Sequence, residues 1–145
     1  MRLPESARAL IESGAHAHLV TLNGDGSPQV TIVWMGVETG PDGDELVSAH
    51  LYETVKVKNL RRDGRVAVTF ESPTRSSRGL LEYLTVYGTS TLEEGGAPEL
   101  LQKLAEVYLG PGVKFPPMDN PPPGFINRIR IDRISGVGPW TGRAV

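Results

Sequence analysis

The chain has 145 residues, enough for one domain with a respectable core, and its formal net charge of −2 argues against a general nucleic-acid binder. Cysteine is absent, which excludes disulfide scaffolds, thiol nucleophiles, zinc ribbons and iron–sulfur clusters. No apolar run is long enough to span a membrane and no signal segment opens the chain, so the expectation is a cytoplasmic protein.

Ala7, Leu10 and Ile11 recur at helical spacing within Ser6 to Ser13, and Gly14 supplies a stop. Ala15 to Leu22 alternates, with His16, His18, Val20 and Leu22 on one face of a strand. Asn23-Gly24-Asp25-Gly26 tolerates positive φ and marks a hairpin. Val30 to Val37 reads as the returning strand, and Gly40-Pro41-Asp42-Gly43 turns the chain into a third, Glu45 to His50. A basic helix follows over Thr54 to Arg62 and ends at Asp63-Gly64. Arg65 to Glu71 is a fourth strand, Pro73 to Gly79 a polar loop, and Leu80 to Leu92 a long fifth strand.

Pro98 to Tyr108 reads as a helix with proline in its first turn and Leu100, Leu101, Leu104 and Val107 on its apolar side. Leu109 to Gly124 holds six of the twelve prolines, and neither a ladder nor a helix accommodates them. Phe125 to Ile134 alternates again, and Gly136 to Val145 reads as a loose tail. Short strands outnumber helices, so a mainly β fold, an antiparallel barrel with flanking helices, is expected over residues 1–145 as a single domain.

The segment from Glu45 to Glu71 carries the most chemical information. A cationic helix opening just after a strand offers unpaired N–H groups, a helix dipole and lysines, which together suit an anion. On a helical wheel Val57 and Leu60 form the packing face, Lys56 flanks it on one side, and Thr54, Lys58 and Arg61 flank it on the other. Asn59 and Arg62 point away. Exposed lysines on a surface helix are also commonly just solvated charges. His16 and His18 share a strand face, but no third ligand is near in sequence, so they read as ordinary histidines and no metal is expected. Gly24-x-Gly26 lacks the third glycine and the helix of a dinucleotide fingerprint, and there is no Gly-x-Ser-x-Gly elbow.

Three stretches in order, Gly24-Asp25-Gly26-Ser27-Pro28-Gln29-Val30-Thr31, Lys56 to Ala67, and Ile129-Arg130-Ile131-Asp132-Arg133-Ile134, give the chain a resemblance to a known family. It resembles the pyridoxamine 5'-phosphate oxidase-like, FMN-binding split-barrel family, over roughly Leu3 to Gly136, and looks like the branch that uses the deazaflavin F420. The resemblance implies a split β-barrel, a homodimer with cofactor between subunits, and F420, or alternatively FMN, as cofactor. It implies Lys56 at the cofactor's phosphate, with Thr54, Val55, Lys58 and Arg61 around the helix start. It also places Thr31, Ile32, Val33 and Trp34 along the redox ring; Ser48 and His50 end the third strand beside the helix start, so ring or phosphate contacts are expected of them. Trp34 is either a wall of that site or a core aromatic. Lys114 to Met118 is a candidate cover on the substrate side, and Arg75, Arg78, Lys114, Arg128 and Arg130 are candidates for an acidic cofactor tail.

Two departures from true pyridoxamine-phosphate oxidases stand out. Val55 occupies the place of an arginine that pairs with the phosphate-binding lysine, and the Gly136 to Trp140 end lacks their arginine- and histidine-bearing substrate motif. The implied activity is an F420-dependent reductase that transfers hydride to an activated double bond of a small organic substrate. The alternatives are an FMN-dependent oxidoreductase of the same fold and a non-catalytic flavin or F420 carrier.

Overall fold

A computed structural model describes residues 1–142. In chain order the elements are α1 (Glu5–Glu12), β1 (Ala17–Leu22), β2 (Pro28–Val33), β3 (Gly36–Gly40), β4 (Gly43–His50), α2 (Val55–Arg62), β5 (Arg65–Arg75), β6 (Leu81–Glu94), α3 (Ala97–Tyr108) and β7 (Phe125–Val137). A final 3₁₀ turn, Pro139–Thr141, closes the described chain. The seven strands form one antiparallel sheet in the order β2-β1-β5-β6-β7-β4-β3.

The sheet curls on itself, because one core cluster draws Val33 of β2, Leu19 of β1, Phe70 of β5, Leu84 of β6, Ile129 of β7 and Leu46 of β4 together. The alternating pattern of β1 explains its inward face: Ala17, Leu19 and Thr21 are buried, whereas His18, Val20 and Leu22 lie on the other side. Gly88 sits at a register shift between β6 and β7, and a Cβ there would collide with the Arg130 carbonyl oxygen. α1 plugs one end of the barrel with Ala7, Leu10 and Ile11. Among the described residues no helix is long and apolar enough to cross a membrane.

Three expectations need correction. The strand expected over Val30 to Val37 is two strands, the edges β2 and β3, joined by Trp34-Met35. Here the chain leaves one edge of the sheet and reaches the other, so a period-two pattern runs through a crossing. Pro73 to Arg75, expected in a loop, extends β5, because proline is tolerated where the register shifts between Glu71 and Arg75. The expected tail from Gly136 onward is packed as far as it is described. β7 runs to Val137, Trp140 is 7% exposed, and its indole N–H donates to the Tyr83 carbonyl at 3.1 Å. Gly136 at φ 121° permits that path, since a side chain there would meet the Tyr83 backbone. Residues 143–145 lie outside the described residues.

Removing a buried tryptophan costs its transfer free energy and leaves a cavity. Trp140→Ala is therefore expected to lower unfolding stability by about 3–5 kcal/mol in urea titrations. A loss below about 1 kcal/mol would mean that this segment does not pack in solution.

Candidate functional site

β4 delivers His50 to the sheet's end, and the short link 51–54 turns the chain directly into α2. The helix is only eight residues long, so packing must hold it. Val57 and Leu60 are buried as their spacing predicts, but Asn59, expected to point away, is 3% exposed. Its amide donates to Thr21 Oγ1 at 3.1 Å and to Asn23 Oδ1 at 2.9 Å, and its Oδ1 accepts from Arg62 at 2.8 Å. The end of the β1–β2 hairpin reaches under the helix, so a polar residue docks it where the wheel assigned solvent.

The start of α2 and the Trp34-Met35 crossing border a cleft of about 250 Å³. Ile32, Val33 and Trp34 line it from the β2 edge, Ala49 and His50 from β4, and Lys56 from α2. Leu101 of α3, Phe115 of the proline-rich loop and His16 complete it. The Trp34 ring stacks on Tyr108 at 5.5 Å with planes 11° apart and meets Phe115 at 4.9 Å and 56°. The cleft is thus apolar and aromatic over most of its surface, with a cationic and polar end.

Lys56 is the only lysine or arginine among the lining residues. Among the described residues no carboxylate pairs with it, and burial alone lowers its pKa. His50 is 7% exposed, and its pKa is pushed down to about 3, first by burial and then by the Lys56 charge. It is therefore neutral at physiological pH. Ser48 Oγ lies 3.2 Å from His50 Nε2, on the same inward side of the strand.

A family model described as pyridoxamine 5'-phosphate oxidase matches residues 3–137. The chain belongs to that family. Among solved structures, an F420 reductase is similar at 25% identity and a TM-score of 0.73, over 92% of this chain and 98% of that one. A conserved hypothetical protein, Rv2991, from Mycobacterium tuberculosis is similar at 23% identity and a TM-score of 0.68, over 92% and 84% of the two chains. HupZ of Group A Streptococcus is similar at 18% identity and a TM-score of 0.64, over 93% and 94%. These last two show the split-barrel fold alone. No curated protein matches the chain.

Of the residues expected at the site of this family member, the structure brings Ile32, Val33, Trp34, His50 and Lys56 together around the cleft. Trp34 is half-buried there, in contact with Tyr108 and Phe115. Thr31, Ser48, Thr54, Val55, Lys58 and Arg61 do not line it. Thr31 shares its strand face with buried Val33, and among the described residues its buried Oγ1 has no hydrogen-bond partner. Thr54 caps α2 without a side-chain bond to the helix, so its hydroxyl is not spent on the cap. Val55 and Lys58 are exposed, and Arg61 pairs with Glu53 at 2.9 Å while lying over the Phe125 ring.

Of the cations considered for an acidic tail, Arg128 pairs with Glu38 and Glu93, Arg130 with Asp132 and Lys114 with Asp119, and Arg75 donates to the Gly79 carbonyl. None of these four, nor Arg78, lines the cleft. Of the Lys114 to Met118 segment, expected as a cover, Phe115 lines the cleft. His16, Ala49 and Leu101 were missing from the expected set. His16 was read with His18 as an ordinary histidine on a strand and in fact precedes β1, and small or apolar residues carry no chemical signal.

The buried neutral imidazole fixes the sign of a pH effect. The unfolded chain protonates His50 near 6.5, the folded one only near 3, so between these values the unfolded state binds more protons. Stability contributed at neutral pH is lost as pH falls through that window. His50→Gln should flatten the fall of urea midpoint with decreasing pH between about 6.5 and 3. Parallel slopes for variant and wild type would contradict a buried neutral ring.

Proposed function

We propose that the protein is an F420-dependent reductase acting on an activated double bond of a small organic substrate. One observation carries this reading: Lys56 is half-desolvated at the polar end of an aromatic cleft and has no carboxylate beside it. Burying a cation without a counter-charge is unfavourable, and a phosphate-bearing planar molecule relieves that cost at one end while covering apolar surface along its body. Similarity to an F420 reductase at 25% identity across 92% of the chain favours the deazaflavin over FMN.

Lys56 would take the phosphate, helped by the first-turn amides of α2 around Val55 and by the unspent Thr54 hydroxyl. Ile32, Val33 and Trp34 would flank the ring from the β2 edge, with the orphaned Thr31 Oγ1 on the same strand. When bound, the reduced deazaflavin would supply hydride to one carbon of the substrate's double bond, and a proton from water would complete the reduction at the other. Trp34 and Phe115 would exclude water and orient a flat substrate, and His50 would present a neutral ring to the cleft.

Titration of the purified protein with F420 and, separately, with FMN, read by quenching of cofactor fluorescence, tests this reading. Lys56→Ala should weaken binding by about 1–3 kcal/mol, the size of a lost charge-assisted contact. An unchanged dissociation constant removes Lys56 from the site. Tight FMN binding with no F420 binding transfers the reading to an FMN-dependent oxidoreductase. F420 binding without turnover of unsaturated esters or quinones transfers it to a carrier.

The proposal includes a homodimer. Val30 and Ile32 on edge strand β2 are 59% and 61% exposed, and Ile32 also lines the cleft. A second copy covering that face would finish the open side of the site. Sedimentation at micromolar concentration should give twice the chain mass, and a monomer would contradict it.

A further inference from the structure

We infer that Tyr108 and Gln102, neither of which lines the cleft, are positioning residues that hold its aromatic wall in one arrangement. The inference rests on the cleft being the cofactor and substrate site. Both residues stand on α3, six positions apart, and each grips a different lining segment.

Tyr108 acts on the crossing between the two sheet edges. Its hydroxyl accepts the Met35 N–H at 3.1 Å, and its oxygen lies within donating distance of the Ala15 and Met35 carbonyls, at 2.8 and 3.2 Å. Met35 follows Trp34 and Ala15 precedes His16, and both lie outside the strands, so the phenol stands in for ladder partners. Its ring then braces the two lining side chains themselves, stacked on Trp34 and edge-on to His16 at 5.5 Å. The Met35 backbone next to Trp34 and the Trp34 ring are thus both held by one residue.

Gln102 acts on the proline-rich loop. Its Oε1 accepts the Phe115 N–H at 2.9 Å, and its amide group donates to the Val113 carbonyl at 2.8 Å. Glu106, one turn further along α3, accepts from the Gly112 N–H at 3.3 Å. A long loop without regular structure would otherwise sample many conformations, and ordering it only on binding would weaken affinity. Held in advance, Phe115 meets Trp34 and completes the wall.

Trp34 and Trp140 are the two tryptophans, so a Trp140→Phe background leaves Trp34 as sole reporter. Acrylamide quenching and time-resolved anisotropy then read the wall with no cofactor present. In that background Tyr108→Phe keeps the ring and deletes the hydroxyl, while Gln102→Leu keeps the bulk and deletes both loop bonds. Each variant should give Trp34 a fast anisotropy component and a raised quenching constant in the folded state. The F420 or FMN dissociation constant should rise about threefold to tenfold, the factor for roughly one hydrogen bond. A purely structural role would lower the melting temperature and leave Trp34 as rigid as in the parent, and that result overturns the inference for the residue concerned. If the parent binds neither coenzyme, the functional reading fails, and the Trp34 measurements still decide the positioning.

Discussion

An ammonium group held half out of water with no carboxylate beside it is the constraint around which the cleft is organised. Burial disfavours the charged form of Lys56, and its remaining charge helps keep His50 neutral. Both groups would be better solvated elsewhere, so the fold has to hold them where they are. It does so through one tight connection: β4 delivers His50 and, after a short link, α2 presents Lys56 from its first turn. The helix is too short to persist alone, and Val57, Leu60 and Asn59 tie it to the barrel. The site's electrostatics therefore depend on packing beneath the helix rather than on any partner at its surface.

The second determinant is the seam. β2 and β3 are neighbours in sequence and opposite edges of the sheet, so the Trp34-Met35 link must span the opening of the barrel. A link of that kind leaves backbone groups outside the ladder, and here a tyrosine from α3 satisfies them. The same link carries the aromatic side chain that walls the cleft. Closing the barrel and shaping the site are thus one structural event.

Much of this was legible in the sequence because it rests on local rules. Asn23-Gly24-Asp25-Gly26 specified the first hairpin, the prolines after Leu109 specified a structureless segment, and the basic helix followed from apolar spacing and its flanking turn. Long-range contacts were not legible. Nothing in the pattern around Val30 to Val37 distinguishes one strand from two edge strands, because alternation continues through the crossing. Asn59 looked solvated on the wheel because its partners, Thr21 and Asn23, come from a hairpin far away in sequence. Trp140 read as part of a tail because its burial depends on Tyr83 in the middle of β6. Tyr108 and Gln102 looked like ordinary helix residues for the same reason.

Family membership and site chemistry also separate here. A pyridoxal-type substrate brings its own phosphate, and under the proposed reading the cofactor phosphate already occupies Lys56. Among the cleft-lining residues no other lysine or arginine is present to balance a second one. Arg61, Arg128, Arg130 and Lys114 lie off the cleft and are engaged with Glu53, with Glu38 and Glu93, with Asp132 and with Asp119. Val55, where an arginine would stand beside the lysine, is 53% exposed and adds no charge. The rest of the cleft is aromatic and aliphatic, a surface that rewards a flat apolar body and penalises an unpaired anion. The lining thus offers a single cation beside an aromatic and aliphatic surface, which suits one phosphate within the cleft under the proposed reading.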